Sequence, residues 1–178
     1  YLCTFGFSEN PEQRKNKLYI NNQDNTFTES AKQYGLDDGV YSIQSSFFDY
    51  DKDGDLDMYL INQPTTLRKY KDEVFNNPQA LMNETTSDKL YQNQGNKGFV
   101  SVGQAAGIDN FDFGLGVLTT DINDDGWVDF YMANDYYLPD VLFINRKDGT
   151  FSDEIKTKTK QISFYGMGAD IADLNNDG

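Results

Sequence analysis

The chain has 178 residues, a length that allows one domain, and carries 15 Lys and Arg against 29 Asp and Glu for a net charge of −14. So acidic a chain repels phosphate backbones and disfavours nucleic-acid binding, and no stretch approaches the ~18 apolar residues of a membrane span. There is no histidine, which removes the commonest general base, and Cys3 is the only cysteine, which excludes an internal disulfide.

In chain order the sequence alternates short apolar or aromatic runs with polar turns. Leu18-Tyr19-Ile20-Asn21 predicts a strand, Asn22 to Asn25 a turn, and Phe27 the start of an aromatic strand, together a hairpin. A further strand is predicted from Tyr41 to Phe48, then the acidic loop Asp49-Tyr50-Asp51-Lys52-Asp53-Gly54-Asp55-Leu56-Asp57, then the buried strand Met58 to Ile61. The same series returns as Leu90 to Asn93, the turn Gln94 to Gly98, Phe99, the strand Phe113 to Thr120, the loop Asp121-Ile122-Asn123-Asp124-Asp125-Gly126-Trp127-Val128-Asp129, and Phe130 to Ala133. It begins a third time with Leu142 to Asn145, the turn Arg146 to Gly149, Phe151, a strand-like stretch from Tyr165 to Ala172, and the loop Asp173-Leu174-Asn175-Asn176-Asp177-Gly178.

The register is strict, since each Leu stands 31 residues before the first aspartate of its loop (18 to 49, 90 to 121, 142 to 173). The units are about 17–62, 88–134 and 140–178, and the loops are spaced by 72 and then 52 residues. The difference of 20 falls in an insertion at about 63–87, where Leu67, Tyr70, Lys71, Val74 and Phe75 predict a short helix over 66–76. Such an insertion serves either as a binding face or as cover for a sheet edge. About four short strands per unit is the count of a propeller blade, with glycines Gly114, Gly116, Gly166 and Gly168 marking close backbone approach. The third loop stops at its sixth position, and two and a half units do not close a ring of roughly four to eight blades, so the chain is expected to be a segment of a longer protein.

The loops carry the chemistry. Carboxylates packed this closely repel one another by ~1 kcal/mol per pair at 4 Å in water, and by more where water is scarce, so a compact loop calls for a cation. Calcium accepts about six to eight hard oxygens in irregular geometry, whereas magnesium demands a strict octahedron. Side chains at the first, third, fifth and ninth positions supply Asp49, Asp51, Asp53 and Asp57 in one loop and Asp121, Asn123, Asp125 and Asp129 in the next, and the seventh-position carbonyl comes from Asp55 or Trp127. Asp173, Asn175 and Asp177 begin the third set. An EF-hand is excluded, because its twelfth-position Glu is replaced by Leu60 and Met132 and the flanks are strands. Eleven of the acids lie in the three loops, so bound calcium would neutralise much of the formal charge.

Taken together, Leu142 to Phe151 and Phe48 to Asn62 resemble the FG-GAP or VCBS repeats of calcium-binding propellers known from integrin alpha chains, and within them the cartilage acidic protein and UnbV-like group. The resemblance covers residues 17–178 outside the insertion; Asn25, Asn123 and Asn175 depart from its pattern, the last two lowering the ligand charge. It implies an all-β fold, part of a β-propeller built from four-stranded blades with calcium loops and one short helical insertion. It also implies a non-enzymatic, calcium-stabilised binding or scaffold module, secreted or at the cell surface, often of bacteria. Partners would be proteins or glycans, with the chain a subunit of a larger outer-membrane or extracellular complex. The alternative is a calcium-dependent polysaccharide lyase, whose chemistry would need a Lys, Tyr or carboxylate base in place of histidine. Three weaker features have plain readings: Asn83 in a glycosylation sequon, Arg68 to Lys71 as a solvated basic run, and Tyr136 to Pro139 as strand packing.

Overall fold

The computed structural model describes residues 1–6, 10–64, 86–108, 112–136 and 138–174. The helix expected over 66–76 lies outside them, as do Asn83 and the Arg68 to Lys71 run. Among the described residues ten strands form: β1 (Tyr19–Asn21), β2 (Phe27–Glu29), β3 (Ser42–Phe48), β4 (Asp57–Asn62), β5 (Lys89–Asn93), β6 (Phe99–Ser101), β7 (Gly114–Thr120), β8 (Asp129–Asn134), β9 (Val141–Asn145) and β10 (Phe151–Asp153). The only helical elements among the described residues are single turns, such as Ala31–Tyr34 and Ile155–Lys158. The fold is therefore all-β, and every strand pair is antiparallel.

The strands assemble into a two-stranded sheet, β1-β2, and two four-stranded meanders ordered β3-β4-β5-β6 and β7-β8-β9-β10. Each meander is consistent with a propeller blade. Register repeats between them: Ser42 faces Asn62 and Phe48 faces Asp57 in the first, Gly114 faces Asn134 and Thr120 faces Asp129 in the second. Both inner pairs shift register near their start, between Ser42 and Gln44 and between Gly114 and Gly116. The hairpins repeat as well, for Ser30 N donates to Leu18 O at 2.7 Å, Val102 N to Leu90 O at 2.8 Å and Glu154 N to Leu142 O at 2.8 Å. Each meander takes its first two strands from one sequence unit and its last two from the next, so the acidic loop joins the two strands nearest the start of a sheet.

Alternation of side chains explains how the sheets stack. All six residues of β4 are buried, so both its faces are covered. Tyr59 and Ile61 point into the main core with Phe48, Val117, Phe130, Met132, Phe143 and Phe151, which lies between the two meanders. Met58 and Leu60 point the other way, into a cluster with Leu36, Tyr91, Tyr1 and Leu18. On the far face of the second meander, Leu142 and Ile144 pack against Ile155 and Tyr131.

Tyr165 to Ala172, expected as a strand, forms none: Tyr165 lies in a bend at φ 63° and the residues after it are irregular. In both meanders the matching stretch pairs with the strand that follows the acidic loop, whereas here Gly166 N donates to Asn134 O at 2.8 Å. One glycine of the turns is constrained tightly: Gly98 sits at φ 81° and ψ −156°, and a Cβ there would lie 2.8 Å from the Tyr34 carbonyl oxygen. That region of backbone space is essentially restricted to glycine. Gly98→Ala is expected to destabilise by about 1–3 kcal/mol, read from urea unfolding midpoints.

Candidate functional site

Pairing of Phe48 with Asp57 forces the intervening residues to reverse direction over the end of the β3-β4 hairpin. Lys52 at φ 60° and Gly54 at φ 95° make the bend. The carboxylates then cap the backbone they curl around: Asp49 accepts from Gly54 N at 3.2 Å, Asp51 from Asp53 N at 3.3 Å, and Asp53 from Asp55 N at 3.1 Å. Asp57, fully buried, accepts from Tyr50 N at 3.1 Å with one oxygen and from Asn93 N at 2.9 Å with the other.

The outcome is a convergence of charge. One oxygen from each of Asp49, Asp51 and Asp57 lies within 4.8 Å of the others. Oxygens on opposite sides of a calcium ion are separated by about twice the 2.3–2.6 Å bond length, so this spacing fits a shared ion. Asp49 Oδ1 and Asp55 Oδ1 are buried without a hydrogen-bond partner, and a buried oxygen in that state is stabilised by a cation. The electrostatics agree. Burial, reinforced by Asp51 and Asp53 and opposed by the N–H groups of Asn93 and Tyr50, leaves the Asp57 carboxyl pushed up to about 7. Asp55 is raised by burial and by Asp53, Asp51 and Asp49. This acidic cluster has the donor set to hold a metal ion.

The second loop repeats the bend and its hydrogen bonds with three acidic ligand side chains in place of four, and among the described residues only the first loop brings three carboxylates within 4.8 Å of one another. Asp124 at φ 55° and Gly126 at φ 85° make its bend. Asp121 accepts from Asp125 N at 3.0 Å and Gly126 N at 2.6 Å, Asn123 also accepts from Asp125 N at 3.1 Å, and Asp125 accepts from Trp127 N at 2.9 Å. Asp129 is buried and accepts from Ile122 N at 3.0 Å and Asn145 N at 2.8 Å, matching Asp57. Burial raises Asp129 against those two N–H groups. Burial acts on Asp125 too, but the Trp127 N–H, Asn123 and the Lys147 ammonium outweigh it and hold its carboxyl below the usual range. Of the third set, Asp173 lies with Asp121, Tyr131 and Leu142 around a cleft of about 570 Å³ on the far face of the second meander. Asn175 and Asp177 fall outside the described residues.

Sequence reasoning missed the residues that hold these ligands. Asn93 and Asn145, the last residues of β5 and β9, donate backbone N–H to the ninth-position aspartates and side-chain amide to Leu56 O at 3.1 Å or Val128 O at 3.3 Å. Asn145 Nδ2 also reaches Tyr50 O in the first loop at 2.8 Å. Asp88 accepts from Tyr59 OH at 2.6 Å and Asn62 N at 2.8 Å. Asp140 does the same for Tyr131 OH and, at 2.8 Å, Asn134 N. The signal was present in the paired strings Asp88-Lys89-Leu90-Tyr91-Gln92-Asn93 and Asp140-Val141-Leu142-Phe143-Ile144-Asn145, whose ends match as well as their centres. These buried carboxylates serve the fold. Among curated proteins none matches the chain. A model of the FG-GAP-like repeat matches residues 4–60 and 121–178, together well over half of the chain.

Proposed function

We propose a function from one premise: this chain belongs to the FG-GAP-like repeat family. Repeats of this family are typically involved in binding or adhesion, are usually extracellular and often bind calcium. The chain acts as a non-enzymatic, calcium-stabilised segment of a β-propeller that binds protein or glycan partners. Kinship with the cartilage acidic protein and UnbV-like group belongs to the same proposal, as does a place in a complex at the bacterial outer-membrane surface. No helix among the described residues is long and apolar enough to cross a membrane.

The observation that carries this reading is the meeting of Asp49, Asp51 and Asp57 beside two buried carboxylate oxygens without partners. Asp53, the carbonyl of Asp55 and, in the second loop, Asp121, Asn123, Asp125, Asp129 and the carbonyl of Trp127 complete the proposed ligands, with Asp173, Asn175 and Asp177 in the third. Calcium there joins the two strands of a hairpin and stabilises by mass action, filling sites with dissociation constants of ~0.1–1 mM outside cells. Asp53→Ala and Asp125→Ala are each expected to lower the melting temperature chiefly in calcium and to remove most of the sensitivity to chelator at that loop. Melting curves that coincide with and without chelator in the parent refute the structural ion. Binding is tested on immobilised glycans and cell-surface protein with and without chelator. Release of unsaturated sugar from acidic polysaccharide would favour the lyase instead.

A further inference from the structure

The two acidic loops differ in one residue that lies outside both of them. Each outer hairpin opens with an Asn whose side chain accepts the N–H two residues on: Gln23 N to Asn21 at 2.7 Å, Gly95 N to Asn93 at 3.0 Å, Lys147 N to Asn145 at 2.8 Å. All three donating residues have left-handed backbones, at φ 65°, 58° and 66°. Asn93 and Asn145 thus fix where the side chain two residues on starts, beside the ninth-position aspartate that each also holds. At the first loop that side chain is absent, because the residue is Gly95. At the second it is an ammonium: Lys147 Nζ lies 3.3 Å from Asp125 Oδ2 and 3.5 Å from the Asp125 carbonyl oxygen.

A second ammonium approaches from the first loop, since Lys52 Nζ sits 4.9 Å from the centre of the Trp127 ring. Among the side chains at the first, third, fifth and ninth positions the second loop has one carboxylate fewer than the first, three against four, because Asn123 stands where the first has Asp51. The first loop therefore keeps four ligand carboxylates, whereas one of the second loop's three is already paired with an ammonium from outside the loop.

We infer that Lys147 is a tethered cation that competes with metal at the second loop, so that the two loops fill at different calcium concentrations, the first before the second. This rests on the metal-binding reading of the loops. An ion taking Asp125 as a ligand must displace the ammonium or share its oxygen. The isolated ion pair is half-exposed and contributes little to stability, yet one positive charge beside a hard-oxygen site lowers its affinity, because affinity in such loops follows ligand charge. Part of the chain's second acidic bend is thereby stabilised without metal, and the sites form a graded response rather than two equal ones.

The sequence contains a single Trp, in the second loop, and Tyr50 lies in the first, so terbium is titrated with Trp127 as antenna in an Asp49→Asn, Asp51→Asn background that disables the first loop and leaves the second to report. Displacing terbium with calcium then measures the second loop's affinity in the whole chain, and calorimetry with calcium, without those two substitutions, gives both loops together. Lys147→Met is expected to raise the second loop's affinity roughly threefold to tenfold and to bring the two calorimetric steps together. Lys147→Arg keeps the charge and the parent's separation. Lys147→Gly, which also suits the left-handed backbone, serves as the second neutral variant should the Met variant fold poorly. If terbium emission and calcium displacement persist but Met, Gly and Arg variants share the parent's midpoint, the competing role of Lys147 is overturned while the metal sites stand. If no variant and no parent gives sensitised emission or calcium heat, the metal reading and this inference fall together.

Discussion

Phe130→Ala is expected to remove about 3–5 kcal/mol of unfolding free energy, the largest loss from any single truncation in the described core. Phe130 is fully buried, and its ring centre lies 4.6 Å from that of Tyr59, 4.8 Å from Phe143, 5.2 Å from Phe151 and 6.0 Å from Phe48. Those rings come from both meanders, so the cavity would open at the seam where the sheets meet. Strands hydrogen-bonded on either side cannot collapse to fill it, which places the cost toward the upper part of that range. Urea unfolding followed by far-ultraviolet circular dichroism measures the loss. A cost below ~1 kcal/mol would mean that the sheets do not pack as described.

Asp57→Asn separates the two tasks of the buried ninth-position carboxylate. In chelator the parent carries a carboxyl pushed up to about 7, against 3.8 for the free side chain, because it is buried and faces Asp51 and Asp53. The folded state then binds the proton more tightly than the unfolded one, so stability falls as pH rises from about 4 to about 7 and is lowest above that range. An amide resembles the protonated acid. It retains one acceptor for Tyr50 or Asn93, so the variant in chelator should match the parent at low pH and lose Asp57's share of the pH slope, leaving that of Asp55 and Asp129. In calcium the order reverses: the parent gains more than the variant, which keeps the second loop's response but brings one charge fewer to the ion in the first. Melting temperatures across pH, with and without calcium, give both results. A variant that keeps the full calcium response removes Asp57 from the ligands.

Much of the architecture was legible in the sequence because its signals are local. The hairpins rest on polar turns between apolar strands, and the loops on oxygen donors at alternate positions with a glycine at the sixth. Repetition made both visible at once. What the sequence concealed is non-local. Nothing in the string shows that a sheet starts at Ser42 and borrows its outer strands from the following unit, since that depends on which strands find each other across the inserted residues. The stretch Tyr165 to Ala172 has the glycines and apolar residues of β7, but a strand needs a neighbour to supply its hydrogen bonds. The reach of Asn145 from β9 to Tyr50 in the neighbouring blade's loop is likewise a product of packing. Lys147 looks like an ordinary turn residue until its backbone conformation and the approach to Asp125 are seen together.

A crystal grown in calcium, with its anomalous scattering recorded, tests most directly whether a divalent ion bridges the acidic bends. The predicted result is an anomalous peak enclosed by Asp49, Asp51 and Asp57, within roughly 2.3–2.6 Å of an oxygen from each. A first loop with its carboxylates splayed into solvent and no peak between them would contradict it.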